Sequence, residues 1–238
     1  MSKTYALFDF DGTLIRGDSI LLLVRYARRR NLLSASELPG ILWAGVLYGL
    51  RLRTAVQSKE RALSFLTGRS AAEVETLANE FFRDVLQPRL RPQGMEQIAR
   101  HREQGHDVLL ISASSTFYLE PLRAILGLTD IIGTRFDTDA MGTFTGRVCG
   151  DNCRGVQKAL RLAEYLAAKG ERLDYDTSTA YGDSYGDLPM LRLCAHKVGV
   201  NPKPRLWRAL RTLDGAERVA WADPVEGQTV PDASAAAR

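Results

Sequence analysis

Cysteine is scarce in this chain: three in 238 residues, Cys149, Cys153 and Cys194. The number is odd and the first two stand four apart rather than in a CxxC spacing. That argues against a disulfide framework and against a structural zinc site, so reduced thiols in a cytoplasmic protein are expected. Histidine is equally sparse, and His101, His106 and His196 stand in no metal-ligand spacing. All three are read as structural or solvent-facing. No apolar run reaches about eighteen residues, the length a spanning helix needs. Met1–Phe10 lacks a basic stretch followed by a long apolar one, so no signal peptide is read. Internal repeats are absent too.

What is there fits a globular chain: 45% hydrophobic and 25% charged residues, long enough for one full domain and a smaller insert. The net charge of +4 is unevenly spread. Arg16–Arg69 holds ten basic and three acidic residues, a local +7 against −3 elsewhere. Such a segment suits an anionic substrate, an anionic lipid surface or nucleic acid, or is simply a solvated basic face. It has no aromatic-interleaved platform and no helix-turn-helix signature, so no nucleic-acid partner is expected.

The apolar run Thr4–Phe10 reads as a buried strand ending in an Asp-Gly-Thr turn. Helical patterns follow over 18–34, 54–66 and 70–87. The last opens with the capping box Ser70-x-x-Glu73 and carries the stripe Val74, Leu77, Ala78, Phe81, Phe82 and Val85. Between them lies Ile41–Leu50, ten apolar or glycine residues. It is read first as the core of the helical segment, and second as an interfacial segment between arginines. From residue 93 strands and helices alternate: strands at 107–112, 131–136, 178–181, 197–200 and 218–221, helices at 94–104, 117–126, 154–168, 187–194 and 205–213, and a hairpin around Met141-Gly142. This alternation predicts an α/β protein, a Rossmann-like doubly wound parallel sheet with an inserted all-helical unit. The expected divisions are an α/β core from 1–15 and 89–223, a helical cap over 16–88, and a disordered tail over 224–238.

Asp9 and Asp11, in Phe8-Asp9-Phe10-Asp11-Gly12-Thr13-Leu14, end the first strand. The carboxyl ends of strands are where open α/β sheets bind ligands. This DxDGT segment resembles the first motif of the haloacid dehalogenase-like superfamily. Ser112, closing the strand Val108–Ser112, resembles the second motif; Lys158, early in a later helix, resembles the third. Lys158 is read as lying off the apolar stripe Val156, Leu160, Ala163 and Ala167. Gly182-Asp183-Ser184-Tyr185-Gly186-Asp187 is similar to the family's acidic fourth motif.

The resemblance implies a Mg²⁺-dependent phosphotransferase core. Asp9 would be the nucleophile and Asp11 the acid and base. Ser112 and Lys158 would hold the phosphoryl group, with Ala113 and Ser114 beside it. The metal ligands would be Asp9, the Asp11 carbonyl and Asp183, with Asp187 holding the metal shell or Lys158. Asp11 also argues for phosphate esters over halides, because an alkoxide leaving group needs a proton and a halide does not.

A helical insert after the first motif resembles the C1-type cap (subfamily IB) of the phosphoserine-phosphatase-like branch, which includes histidinol-phosphate and phosphatidylglycerophosphate phosphatases. Asp18 occupies the offset of that branch's ammonium-binding Glu, although Gly12 and Ser112-Ala113-Ser114 depart from its DxDST and Ser-Gly-Gly patterns. The expected substrate is a small phosphate monoester such as phosphoserine or histidinol phosphate. The alternatives are a lipid phosphate handled at a membrane surface, and a catalytically idle phosphate- or partner-binding protein. Peripheral membrane contact is allowed but not favoured, and no oligomeric state can be read.

Overall fold

A computed structural model describes residues 1–224. The expected tail beyond Pro224 lies outside the described residues. The chain begins with β1 (Ser2–Lys3) and β2 (Tyr5–Phe8), then runs through α1 (Ser19–Arg29), α2 (Leu38–Gly49), α3 (Ala55–Ala62) and α4 (Ala71–Phe81). After α5 (Pro92–Glu103) come β3 (Asp107–Ser115), α6 (Thr116–Leu119), α7 (Pro121–Leu126), β4 (Asp130–Thr138) and β5 (Phe144–Cys149). The remainder is α8 (Val156–Lys169), β6 (Arg172–Leu173), β7 (Thr179–Gly182), α9 (Leu188–Leu191), β8 (His196–Val200), α10 (Pro204–Leu210) and β9 (Ala216–Val219).

The main sheet has seven strands in the order β5-β4-β3-β2-β7-β8-β9, and only the β4–β5 hairpin is antiparallel. Its middle strand, β2, is apolar at every position and wholly buried, as a parallel strand covered on both faces must be. The chain adds β3, β4 and β5 on one side of β2, then crosses to add β7, β8 and β9 on the other. The carboxyl end of β2 is therefore a topological switch point. The α/β architecture read from the alternation is the one observed.

Regular structure between Ser19 and Arg89 is helical, apart from an isolated bridge at Ser70. The Asp18 side chain accepts from the N–H groups of Ile20 and Leu21 and so starts α1. The Ser70–Glu73 capping box forms as read. The stripe of α4 buries Val74, Leu77, Ala78 and Phe81, then continues through a π-helical turn, Phe82–Leu86, that also sends Phe82 inward. One continuous apolar core joins these helices to Phe8, Val108 and Leu110 of the sheet, and Phe81 of α4 packs edge-on against Tyr118 of α6.

Three expectations are corrected. The helix read over 117–126 is two, because Pro121 has no N–H for a continuous ladder. In α8 the stripe Val156, Leu160, Ala163 and Ala167 faces outward, and Lys158, Leu162 and Leu166 form the buried face. The helical period holds but its phase differs, because the ion pairs of Lys158 with Asp9 and Asp187 turn that face inward. In the run read as cap core, only Ile41 and Ala44 are buried, whereas Leu42 is 68% and Trp43 62% exposed. A helix apolar all round but packed on one side leaves the other side exposed. Among the described residues no helix is long and apolar enough to cross a membrane.

Candidate active site

Four segments distant in sequence meet at the carboxyl end of β2. The Asp9 N–H still pairs with the sheet, donating to Tyr181 O at 3.0 Å. The chain then turns sharply at Gly12, whose φ is +86°. A β-carbon there would also collide with the Asp183 carboxylate, so glycine is required for backbone and for space. Buried Arg91 donates to the carbonyls of Gly12 and Thr13 and fixes the loop from below.

Asp9 is buried. One carboxylate oxygen accepts from Thr13 Oγ1 at 3.1 Å and the other pairs with Lys158 Nζ at 2.5 Å. The same ammonium reaches Asp187 Oδ1 at 2.6 Å. Asp187 is held in turn by the N–H of Ser184 at 2.9 Å and its hydroxyl at 2.8 Å. Asp183 pairs with Lys203 Nζ at 2.7 Å. Carboxylate oxygens of Asp9, Asp183 and Asp187 all lie within 4.8 Å of one another.

Three buried carboxylates thus face two ammonium groups. Burial first, then the charge of Asp187, hold the Asp9 carboxyl above its ordinary range, against the pull of Lys158. Burial likewise raises Asp183, opposed by Lys203. Burial alone would lower Lys158, but Asp187 and Asp9 outweigh it and keep the ammonium charged. A close set of hard oxygen donors with surplus negative charge fits a divalent cation.

Asp11 lies outside this cluster. Its Oδ1 accepts from the N–H of Ser19 at 2.9 Å, and its Oδ2 accepts from Ser19 Oγ at 3.0 Å and Ser114 Oγ at 2.5 Å. Burial, helped by the charge of Asp18, pushes its carboxyl up to about 6, against those hydrogen bonds. The hydroxyl of Ser114, expected beside the phosphoryl group, is thereby committed to Asp11. Its N–H is committed to Ser112 Oγ at 3.1 Å. Ser112 is buried and lines the same cavity of about 400 Å³ as Asp9, Asp11 and Lys158. Asp18 stands exposed at the rim, with Oδ1 engaged by the start of α1.

Two cationic residues were not foreseen. Lys59, from α3, is buried and donates to Ala113 O, Asn152 Oδ1 and, at 3.2 Å, Thr134 Oγ1. Burial lowers it to about 8 despite the charge of Asp11. Among the described residues it makes no ion pair. Nothing local in Ser58-Lys59-Glu60-Arg61 marks it as inward-facing. Lys203 follows the Asn201-Pro202 segment just after β8, and only the fold brings it back to Asp183.

The chain matches the haloacid dehalogenase-like hydrolase family over residues 6–192. It is 31% identical over 209 residues to a histidinol-phosphatase of Neisseria meningitidis, covering 86% of this chain and 93% of that protein. It is 31% identical over 205 residues to phosphoserine phosphatase SerB1 of Mycobacterium tuberculosis, covering 84% of this chain but only 66% of the relative's length. A protein of unknown function from Bordetella pertussis superposes with a TM-score of 0.75 at 28% identity, over 90% of this chain and 98% of that one. A phosphoserine phosphatase captured as a phospho-aspartyl intermediate analogue shares the fold, with a TM-score of 0.62 at 20% identity over 92% of this chain and 93% of that one. The motifs, the switch-point site and the match across most of the chain agree, and the protein belongs to the haloacid dehalogenase-like hydrolases.

Proposed function

We propose that the chain is a Mg²⁺-dependent phosphomonoesterase that works through an aspartyl-phosphate on Asp9. The observation that carries this reading is the division of labour between two neighbouring carboxylates. Asp9 belongs to the cation cluster, whereas Asp11 is held outside it by neutral donors, with its carboxyl raised toward neutrality.

In this reading Asp9, the Asp11 main-chain carbonyl and Asp183 hold the cation, and Asp187 orients Lys158. Bound there, Mg²⁺ supplies positive charge against the phosphate oxygens. Lys158 and Ser112 bind the phosphoryl group and offset the repulsion between two anions. A carboxylate oxygen of Asp9 attacks phosphorus in line, and the bond from phosphorus to the ester oxygen breaks. Asp11 donates its proton to the departing alkoxide, which leaves as the alcohol. Asp11 then takes a proton from water as that water's oxygen attacks phosphorus. The bond to Asp9 breaks, inorganic phosphate leaves, and both carboxyl groups return to their starting states.

Residues 16–88 serve as a lid over the core formed by 1–15 and 89–223, and Lys59 is the lid's buried cation at the phosphate-binding loop. The substrate is a small phosphorylated metabolite, of the class that the names of the Neisseria and Mycobacterium relatives indicate. Asp18, with Oδ2 uncommitted at the rim, would contact an ammonium group.

The test is phosphate release with Mg²⁺ and with EDTA, using Asp9→Asn as the blank. The panel holds phosphoserine, histidinol phosphate, sugar phosphates, nucleotides and a detergent-solubilised lipid phosphate. Turnover with Mg²⁺, reversibly lost in EDTA and absent from Asp9→Asn, is expected. Turnover by purified Asp9→Asn would overturn the mechanism. A folded protein inert on every ester would leave a phosphate- or partner-binding role instead.

A further inference from the structure

Helix α2 is twelve residues long, Leu38 to Gly49, without a single charged side chain. Leu42, Val46 and Leu50 follow one another at helical spacing with Trp43 beside them, and all are exposed. Leu52, in the loop beyond, is 73% exposed. An apolar stripe of this size left open to water is uncommon on a soluble surface and marks an interaction site.

The charge of the segments that flank it in sequence indicates what covers it. From Ser19 to Arg53 the chain carries six arginines and one acid, Glu37. Glu37 accepts from the N–H of Ser34, and Arg30 pairs with Glu80. The other five, Arg25, Arg28, Arg29, Arg51 and Arg53, make no ion pair among the described residues. A second copy of this face would bring like charges together around the stripe. An anionic lipid surface would instead meet apolar side chains with its acyl region and arginines with its headgroups. Trp43 has the amphipathic ring that settles at that boundary.

We infer that α2 is a membrane-docking element that seats the protein on an anionic bilayer surface. The inner face of the same helix, Ile41, Gly45 and Tyr48, lines the cavity above Asp9. Docking therefore places the mouth of that cavity at the lipid surface. The inference is independent of the phosphatase reading, since it concerns partition and not turnover.

The experiment is flotation of the full chain with vesicles of phosphatidylglycerol and phosphatidylcholine in equal parts, with phosphatidylcholine alone as comparison. Partition onto the mixed vesicles is expected to exceed that onto phosphatidylcholine by at least about tenfold and to fall with added salt. Trp43 emission should shift to the blue on binding, and Trp43→Phe should remove that shift. The triple variant Leu42→Ser, Trp43→Ser, Val46→Ser should lose at least about tenfold in partition while keeping its circular dichroism. Arg51→Gln with Arg53→Gln leaves the stripe intact and should weaken binding to the mixed vesicles only, so a triple variant that fails to fold does not end the test. Equal partition onto both vesicle types, no partition at all, or binding unmoved by either variant overturns the inference. A dimer in sedimentation equilibrium that the triple variant breaks, without vesicle binding, would assign the face to a second copy and overturn it as well.

Discussion

Asp9 and Asp11 are two residues apart and share no hydrogen-bond partner. Asp9 faces Lys158 and Thr13, whereas Asp11 faces Ser19 and Ser114. If Asp11 moves the proton, Asp11→Asn should reduce turnover of alkyl phosphates far more than of p-nitrophenyl phosphate, whose leaving group needs little protonation. A difference of about tenfold or more between the two losses is expected, and equal losses would count against the acid role. At this scale the motif residues were legible because each is fixed by a local need. Gly12 must have positive φ and no β-carbon, and Asp9 must follow a buried strand. Lys59 and Lys203 were not legible, because their roles come from elements that meet only in the folded chain. Lys203 reaches Asp183 from twenty residues further along the sequence, and Lys59, on α3, reaches Ala113 from 54 residues before it.

Elements were legible where capping and glycine stops mark them. Ser70 opens α4, and Gly127 and Gly170, both in the left-handed region, close α7 and α8. They were misread where composition and packing diverge, as in the outward stripe of α8 and the exposed face of α2. Helix α5 carries a further consequence. Its His101 is buried against the sheet, with Nε2 2.9 Å from Tyr181 Oη, Nδ1 2.9 Å from His106 Nδ1, and Phe8 edge-on to the ring. Burial, then the neighbouring His106, lowers His101 from 6.5 to about 4. Above pH 6.5 this group leaves stability unaffected, since the ring is neutral in both states. Between that pH and about 4 the unfolded chain takes up a proton that the native one refuses, so stability falls as pH falls. Urea midpoints from pH 7.5 down to pH 5 should decline, and His101→Asn should decline less steeply. An identical slope in the variant would refute the assignment.

Over the whole molecule, the sheet order decides where charge accumulates. Because β3 and β7 flank β2, Asp9 just past β2, Ser112 within β3 and Asp183 just past β7 line one cavity, and α8 brings Lys158 to Asp9. The strand–helix alternation predicts the parallel sheet but not its strand order, so this convergence was expected only from the resemblance of the motifs. The packing of the helical segment against the sheet was not legible, because helix–helix angles leave no trace in a period. Carboxylate oxygens of Asp9, Asp183 and Asp187 lie within 4.8 Å of one another, three acidic groups against two ammonium groups, and the folded state alone brings them together. A divalent cation should therefore stabilise the native chain by mass action. At about one hundred times its dissociation constant, Mg²⁺ should raise the melting temperature by roughly 5–10 °C. The increment should vanish in EDTA and be largely lost in Asp183→Asn, which keeps the side chain's volume but removes its charge. Because melting is read without substrate, the result separates cation binding from catalysis. An unshifted melt of the wild-type chain in Mg²⁺ would mean that Lys158 and Lys203 neutralise the cluster by themselves, and that its carboxylates are an ion-pair network rather than a metal site.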